Sequence, residues 1–220
     1  MSPRQHPTRP RLTELRLGSL DAGYAGDLGP GERAEGLAFD GVDLTDRGLA
    51  GVAFVECALD GATFDGADLT GASFVETRIE RLGAPSLRSP RSRFRDVELV
   101  ASRIGSGELY DGIWDGVVVR GCKLGFVNLR AAELTDVLFV DCVIEELDLG
   151  RAKATRVAFE GSTVDALDVT GAELRHVDLR GARLGRVAGI AGLRGAIVSG
   201  FQAAELAEVM AEHLGIAVQE

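Results

Sequence analysis

The residues most able to do chemistry in this sequence are carboxylates and histidines, because both can exchange protons with a substrate once their pKa is tuned. The chain has 34 Asp and Glu residues among 220, so a pair such as Asp148 and Asp168 is weak evidence for acid–base catalysis. The three histidines, His6, His176 and His213, are single and scattered. None has a Ser, Cys or Asp partner at a spacing typical of a catalytic group. The sequence therefore predicts that the protein is not an enzyme.

Three cysteines are the other candidates, as nucleophiles or metal ligands. Cys57, Cys122 and Cys142 stand in apolar stretches without further Cys or His ligands nearby, so we expect buried thiols that pack as small apolar side chains. Neither a metal nor a cofactor is predicted. The odd number of cysteines and the lack of a secretory signal favour a reducing, cytoplasmic location. No run approaches the roughly 18 apolar residues of a membrane span.

The elements that carry these residues follow a strict period of five. A large apolar residue, here called the centre, recurs as Phe39, Leu44, Leu49, Phe54, Leu59, Phe64, Leu69, Phe74 and Ile79, and continues to Leu184. Two residues earlier stands a second, smaller residue, here called the small position. Neither a helix nor an ordinary strand has a period of five. A fixed period over this length indicates a repeat architecture.

Units such as Ala67-Asp68-Leu69-Thr70-Gly71 resemble those of the pentapeptide-repeat proteins. The resemblance implies an all-β fold, a right-handed quadrilateral β-helix with four pentapeptides and about twenty residues per coil. Residues 39–184 would make about seven coils. Residues twenty apart would stack, which predicts two aromatic ladders: Phe54, Phe74, Phe94 and Trp114 in one, Phe139 and Phe159 in the other.

The chain outside the regular repeats divides into shorter parts. Residues 1–11 are rich in Pro and Arg and are predicted to be a disordered tail. Residues 12–38 are predicted to cap the first coil or to form an irregular one, and residues 39–198 to form the β-helix. Residues 199–220 read as a short amphipathic α-helix with Leu206, Val209, Met210 and Leu214 on one face. This helix would cap the last coil or, as in related proteins, join a homodimer.

Residues 81–93 form a basic patch in an otherwise acidic repeat. Two prolines, a small Ala84 and a polar Ser89 interrupt the apolar centres there. Two interpretations stay open, a distorted coil without a partner and a contact loop that binds one. The candidate contact residues are Arg81, Arg88, Arg91 and Arg93.

The net charge of −10 argues against direct nucleic-acid binding through a basic surface. On the stacking hypothesis one wall carries an outward line of Asp68, Arg88, Glu108, Asn128, Asp148 and Asp168, with Glu145, Glu146 and Asp165 at the neighbouring corner. Such a line of like charges repels itself modestly in water, so packing gives no reason for it. Either these side chains are merely solvated, or they imitate the regular charge of DNA.

The resemblance to pentapeptide-repeat proteins suggests one function. Its best-characterised members occupy the DNA-binding saddle of DNA gyrase or a related topoisomerase, and some protect gyrase from antibiotics. We therefore expect a non-enzymatic, DNA-mimicking interaction rod whose partner is DNA gyrase or topoisomerase IV. The alternative is a structural scaffold for some other protein partner.

Overall fold

The computed structural model of this protein describes residues 8–218. It is a parallel β-solenoid of about 9 turns with short helices at the C-terminal end, so the predicted β-helix is confirmed. The strands are β1 (Asp21–Ala22), β2 (Arg33–Glu35), β3 (Leu37–Asp40), β4 (Ala53–Val55), β5 (Ala58–Asp60), β6 (Ser73–Glu80), β7 (Gly83–Arg88), β8 (Arg93–Val100), β9 (Arg103–Glu108), β10 (Ile113–Arg120), β11 (Lys123–Asn128), β12 (Glu133–Val140), β13 (Val143–Asp148), β14 (Lys153–Glu160), β15 (Ser162–Asp168), β16 (Glu173–Arg175), β17 (Val177–Asp178), β18 (Ala182–Ala188) and β19 (Ala196–Ile197).

From β2 to β18, strands pair in parallel with partners twenty residues away, which is four pentapeptides per coil. Phe54 pairs with Phe74, and Phe139 with Phe159. A 13-stranded sheet forms two walls, and a 6-stranded sheet of β7, β9, β11, β13, β15 and β18 forms the third and part of the fourth. Both predicted aromatic ladders are confirmed, with ring centroids 5.1 Å apart for Phe54 and Phe74 and 4.8 Å apart for Phe139 and Phe159.

The core consists of the centres and the small positions, which point inward together. In the basic patch the two positions exchange sizes: Leu82 precedes Ala84, and Leu87 precedes Ser89, and all four are buried. In these two units the large side chain at the small position therefore supplies the core volume that the centre lacks. Ser89 satisfies its hydroxyl by donating to the Ser92 Oγ at 2.8 Å.

The corners between walls have backbone in the left-handed region, with positive φ recurring every five residues from Gly31 to His176. One corner in four departs from this rule from residue 86 onward. Its residues have no positive φ and lie inside the strands of the second sheet: Ser86, Ser106, Phe126, Glu146 and Ala166. Larger side chains follow these open corners at the small position, among them Leu87, Val127, Leu147 and Leu167.

The N-terminal end is closed by a cap. Strand β1 pairs with β3, and a 3-10 helix, Ala25–Asp27, follows. Arg47 reaches the cap from a small position and donates to the carbonyl oxygens of Ala25 and Leu28 at 3.2 and 2.7 Å. Pairing of β2 with β4 shows that regular coils begin before residue 39. Of the predicted disordered tail, residues 1–7 lie outside the described residues.

The C-terminal end is closed by two short helices, α1 (Gly200–Glu205) and α2 (Ala207–His213). Ser199 and Gln202 form a capping box, and the Gln202 Nε2 donates to the carbonyl oxygens of Leu179 and Ala182 at 2.7 and 2.8 Å. These bonds satisfy backbone groups that the last coil would otherwise leave unpaired. Within residues 8–218, no helix is long and apolar enough to cross a membrane.

Candidate interaction surface

The outward line of polar residues on one wall, here called the polar ladder, stands on consecutive rungs. The backbone of Asp68 forms an isolated β-bridge with that of Arg88, and Arg88 lies in register with Glu108 on the next strand. Asn128, Asp148 and Asp168 follow in the same register. The repeat thus aligns these side chains along the rod.

Each aspartate of the polar ladder has a local structural task. The Asp68 Oδ1 accepts the Thr70 N–H at 3.1 Å, and the Oδ1 atoms of Asp148 and Asp168 accept the N–H two residues further on at 2.8 and 2.7 Å. This bond satisfies an N–H that points away from the sheet, as Asp side chains do in turns. The expectation that packing gives no reason for this line was therefore wrong.

The break in the ladder at Arg88 has the same cause. The residue two places on is Pro90, which has no N–H to satisfy. An aspartate is not needed at position 88, so the coil accommodates an arginine. The other proline, Pro85, lies between the paired rungs at Ala84 and Ser86.

The polar ladder is also largely neutralised by its own arginines. Arg88 lies 3.8 Å from Asp68 and 3.9 Å from Glu108. Arg130 lies 3.0 Å from Asp148 and 3.9 Å from Asp168. The hydrogen bond that Arg130 donates to Asp148 raises the pKa of Arg130, whereas hydrogen bonds from Thr170 lower the pKa of Asp168. Asp148 is only 8% exposed, so a partner would find little free charge here.

The carboxylates on the neighbouring wall differ because they are exposed and unpaired. Glu145, Glu146 and Asp165 form no ion pair within residues 8–218. Asp141, at the preceding corner, is also exposed and unpaired. Asp141 and Glu145 flank Val143 along the chain, whereas its partners on the adjacent rungs are Lys123 and Thr163. The Val143 side chain is 46% exposed. Asp141, Val143, Glu145, Glu146 and Asp165 are here called the acidic wall.

Sequence reasoning found three members of the acidic wall and missed Asp141 and Val143. The signal for Val143 was present. It directly precedes the centre Ile144, an outward place at which most units carry a polar or charged residue.

Residues 81–93, predicted as a candidate contact loop, instead form a regular part of the solenoid. Arg88 lies in β7, and Arg81 and Arg91 are left-handed corners. Arg81 pairs with Asp60 and Glu80, while Arg91 and Arg93 form no ion pair in the described chain. The segment keeps the register because the core residues exchange sizes. Whether its two unpaired arginines bind a partner stays a prediction.

Comparisons with known proteins agree with this geometry. The family model described as Pentapeptide repeats matches with 8 copies, over residues 39–74 and 49–81. The chain therefore carries pentapeptide repeats. No curated protein sequence matches it.

Two solved structures similar to this chain have low sequence identity. HetL, a pentapeptide repeat protein involved in heterocyst differentiation regulation from the cyanobacterium Nostoc sp. Strain PCC 7120, is 18% identical, with 76% of this chain and 89% of that chain covered and a TM-score of 0.32. Full-length QnrB1, a plasmid-mediated fluoroquinolone resistance protein, is 17% identical, with 81% and 99% covered and a TM-score of 0.30. Likenesses of this size say nothing of the partner of this chain.

The carboxylate pair and the thiols that could have done chemistry are engaged otherwise. Asp148 and Asp168 are held by the same arginine. The three thiols are buried, and the Sγ atoms of Cys57 and Cys142 donate to the carbonyl oxygens of Val55 and Val140 at 3.2 and 3.3 Å. Burial raises the pKa of the Cys57 thiol. Among residues 8–218, no group of three or more His, Cys, Asp or Glu could hold a metal ion.

The predicted helix face at the C-terminal end is divided by the structure. Leu206 is buried and Val209 half-buried against the last coil, whereas Met210 and Leu214 point away from it. Leu214 is 72% exposed and joins other exposed apolar side chains at this end, Phe201, Ile216 and Val218. This end of the rod therefore presents an apolar surface.

Proposed function

We propose that this protein is a non-enzymatic interaction rod whose acidic wall binds a basic surface on a protein partner. The observation that supports this most is the contrast between two neighbouring walls. Carboxylates of the polar ladder are paired with arginines, whereas those around Val143 are exposed and unpaired. Unpaired charges at fixed positions steer an oppositely charged partner and set its orientation. The exposed Val143 beside them would add an apolar contact to such an interface.

DNA gyrase is the first partner to test, as the family resemblance suggests. A protein surface that binds DNA is basic, and it would accept a rigid rod with carboxylates on successive rungs about 4.8 Å apart. We assign the DNA-like charge to the acidic wall and not to the polar ladder, because the carboxylates of the ladder are already paired with its arginines. The alternative is a scaffold whose acidic wall meets some other basic protein.

We also infer that two copies associate through the C-terminal end. Phe201, Leu214, Ile216 and Val218 are more than half exposed there, and apolar side chains grouped at one end mark an association surface. A two-fold dimer would bury the same patch on both copies and roughly double the length of the rod. Analytical ultracentrifugation of the wild type and of the double variant Phe201→Ser plus Leu214→Ser tests this. If the inference holds, the wild type has twice the chain mass and the variant has the mass of one chain.

A supercoiling assay with DNA gyrase, run with and without a quinolone, tests the partner. Glu145→Lys, Glu146→Lys and Asp165→Lys together reverse the acidic wall. Asp111→Lys, Asp115→Lys and Glu173→Lys are the matched control, because these carboxylates are exposed, unpaired and on other walls. We expect the wild type and the control to inhibit or protect gyrase and the wall variant to do neither. No effect of the wild type would exclude gyrase, and equal effects of both variants would exclude the acidic wall.

A further inference from the structure

One wall of the solenoid carries apolar residues at outward positions. Val118, Leu138 and Ala158 directly precede the inward centres Val119, Phe139 and Phe159, and pair with one another on consecutive rungs. Val140 follows on the same wall. Outward places are polar in most other units of the chain, so these four form an exceptional apolar stripe.

The apolar stripe is covered by the N-terminal segment. Val140 is 8% and Ala158 9% exposed although both point outward, and Asp136 at the adjoining corner is 7% exposed. The Arg11 N–H donates to the Asp136 Oδ1 at 2.8 Å, across 125 residues of sequence. Residues 8–20, here called the arm, form neither helix nor strand. The arm therefore lies along the outside of the wall.

The path of the arm follows from its two ends. The Asp21 N–H donates to the carbonyl oxygen of Gly36, and Gly36 and Asp136 stand 100 residues apart, which is five coils of twenty. Five coils span about 24 Å. The ten residues from 11 to 21 reach about 33 Å when extended. The arm thus runs lengthwise over about five stacked coils.

The anchor of the arm is an ion pair between two residues of the solenoid. The guanidinium of Arg156 donates to both oxygens of Asp136, at 2.6 and 2.7 Å. Burial works to raise the pKa of Asp136, but the hydrogen bonds from Arg156 and from the Arg11 N–H outweigh it and lower the pKa. Further along the same wall, a hydrogen bond from Arg180 lowers the pKa of Asp178, and the charge of Arg9 adds to this effect.

The contact at Asp136 uses the main chain of the arm and not the side chain of Arg11. Main-chain recognition selects an extended conformation and tolerates many sequences. The carboxylates of Asp136 and Asp178 are paired with Arg156 and Arg180 but also feel the charges of Arg11 and Arg9, so positive charge on the segment is favourable. The stripe adds a preference for apolar or proline side chains. A segment held this way is replaceable by another segment of the same kind.

We propose that this wall is a docking site for an extended, arginine-bearing segment of a partner protein, and that the arm occupies it in cis as a displaceable strap. The acidic wall is not part of it, so either site can fail without the other. A tethered arm competes at an effective concentration on the order of millimolar. Binding in trans therefore requires that the arm be released.

Arg11→Pro in the full-length chain tests this, because proline removes the N–H that Asp136 accepts and leaves the wall intact. Arg11→Ala is the matched control, since it keeps the N–H. The probe is a fluorescein-labelled synthetic peptide with the sequence of residues 1–20, followed by fluorescence anisotropy. We expect Arg11→Pro to bind the peptide at least about tenfold more tightly than the wild type or Arg11→Ala. Adding Leu138→Asp should return binding to the wild-type value.

Two controls decide against the docking site. A peptide of scrambled sequence that binds Arg11→Pro equally well would show attraction by charge alone. A peptide with proline at its position 11 that binds as tightly would exclude recognition of the main chain. Equal, weak binding of the peptide to Arg11→Pro and the wild type would leave the arm a structural strap and overturn the proposal. Faster tryptic cleavage after Arg16 in Arg11→Pro verifies that the arm has been released.

Discussion

The two halves of the solenoid use one register with different corners and cores. In the coils of residues 39–81, which the family model matches, alanines such as Ala62, Ala67 and Ala72 fill the small positions and left-handed corners recur every five residues. From residue 83 onward one corner in four is open, and leucines stand at small positions. Coil shape therefore depends on the summed volume of the two inward residues and not on which of them is large.

A cavity lies close to one position where this compensation is missing. Position 107 should carry a larger residue to match its neighbours Leu87 and Val127 in the same column, but it is glycine. A void of about 40 Å³ lies among apolar side chains nearby, including Leu87, Phe94 and Leu109. The size of this void is consistent with the absence of one or two methyl groups.

The largest expected effect on stability comes from placing an alanine, as found at small positions of the first half, at a small position of the second half. Leu87→Ala should lower the free energy of unfolding by about 2–5 kcal/mol, because Leu87 replaces the volume missing at Ser89 and a cavity already adjoins it. Urea unfolding followed by circular dichroism measures this. A loss below about 1 kcal/mol would show that Leu87 does not compensate for Ser89.

The converse exchange should be costly as well. Ala67→Leu should destabilise by about 1–3 kcal/mol, because the tight corner at Gly66, with φ of 65°, leaves no room for the added methyl groups. The same urea titration serves here. Should Ala67→Leu be tolerated without loss, open and tight corners would not differ in the volume they admit.

The arm of the first half, anchored on the second, predicts a dependence on pH. The pKa of Asp136 is lowered in the folded state, so its stabilisation is fully present above the unfolded value of about 3.9 and is lost as pH falls through the folded pKa. The difference in Tm between the wild type and Asp136→Asn should therefore be present at pH 6 and shrink progressively as the pH falls below about 4. A difference that does not depend on pH would mean that the charge of Asp136 is not what anchors Arg11 and Arg156.

The smallest effect is a gain. Gly107→Ala should stabilise by about 0.5–1 kcal/mol, because an added Cβ would lie in ordinary contact with Leu109 and Ile104, at 3.4 and 3.5 Å, and reduces the freedom of the unfolded chain. Thermal unfolding would register a small rise in Tm. A fall would show that the backbone at Gly107, and not missing volume, sets the cavity.

The sequence was sufficient for the features that depend on the period. Five-residue spacing and a twenty-residue coil predicted the inward residues, both aromatic ladders and the alignment of the polar ladder. It was not sufficient where a side chain reaches out of its own unit. The reach of Arg130 to Asp148 depends on its rotamer, and the Asp68 cap on Thr70 needs the turn geometry. The arm has no period, and its anchor Asp136 lies 125 residues away from Arg11.

Direct binding of DNA gyrase, with linear duplex DNA as the competitor, tests the central claim that the acidic wall is the partner surface. The protein would be immobilised and binding measured by surface plasmon resonance at low and high salt. The wild type and the variant with Asp111, Asp115 and Glu173 reversed should both bind gyrase. Added DNA should compete for this binding, and high salt should weaken it. The Glu145, Glu146 and Asp165 reversal should bind at least about tenfold more weakly. Equal binding by all three proteins would contradict the claim.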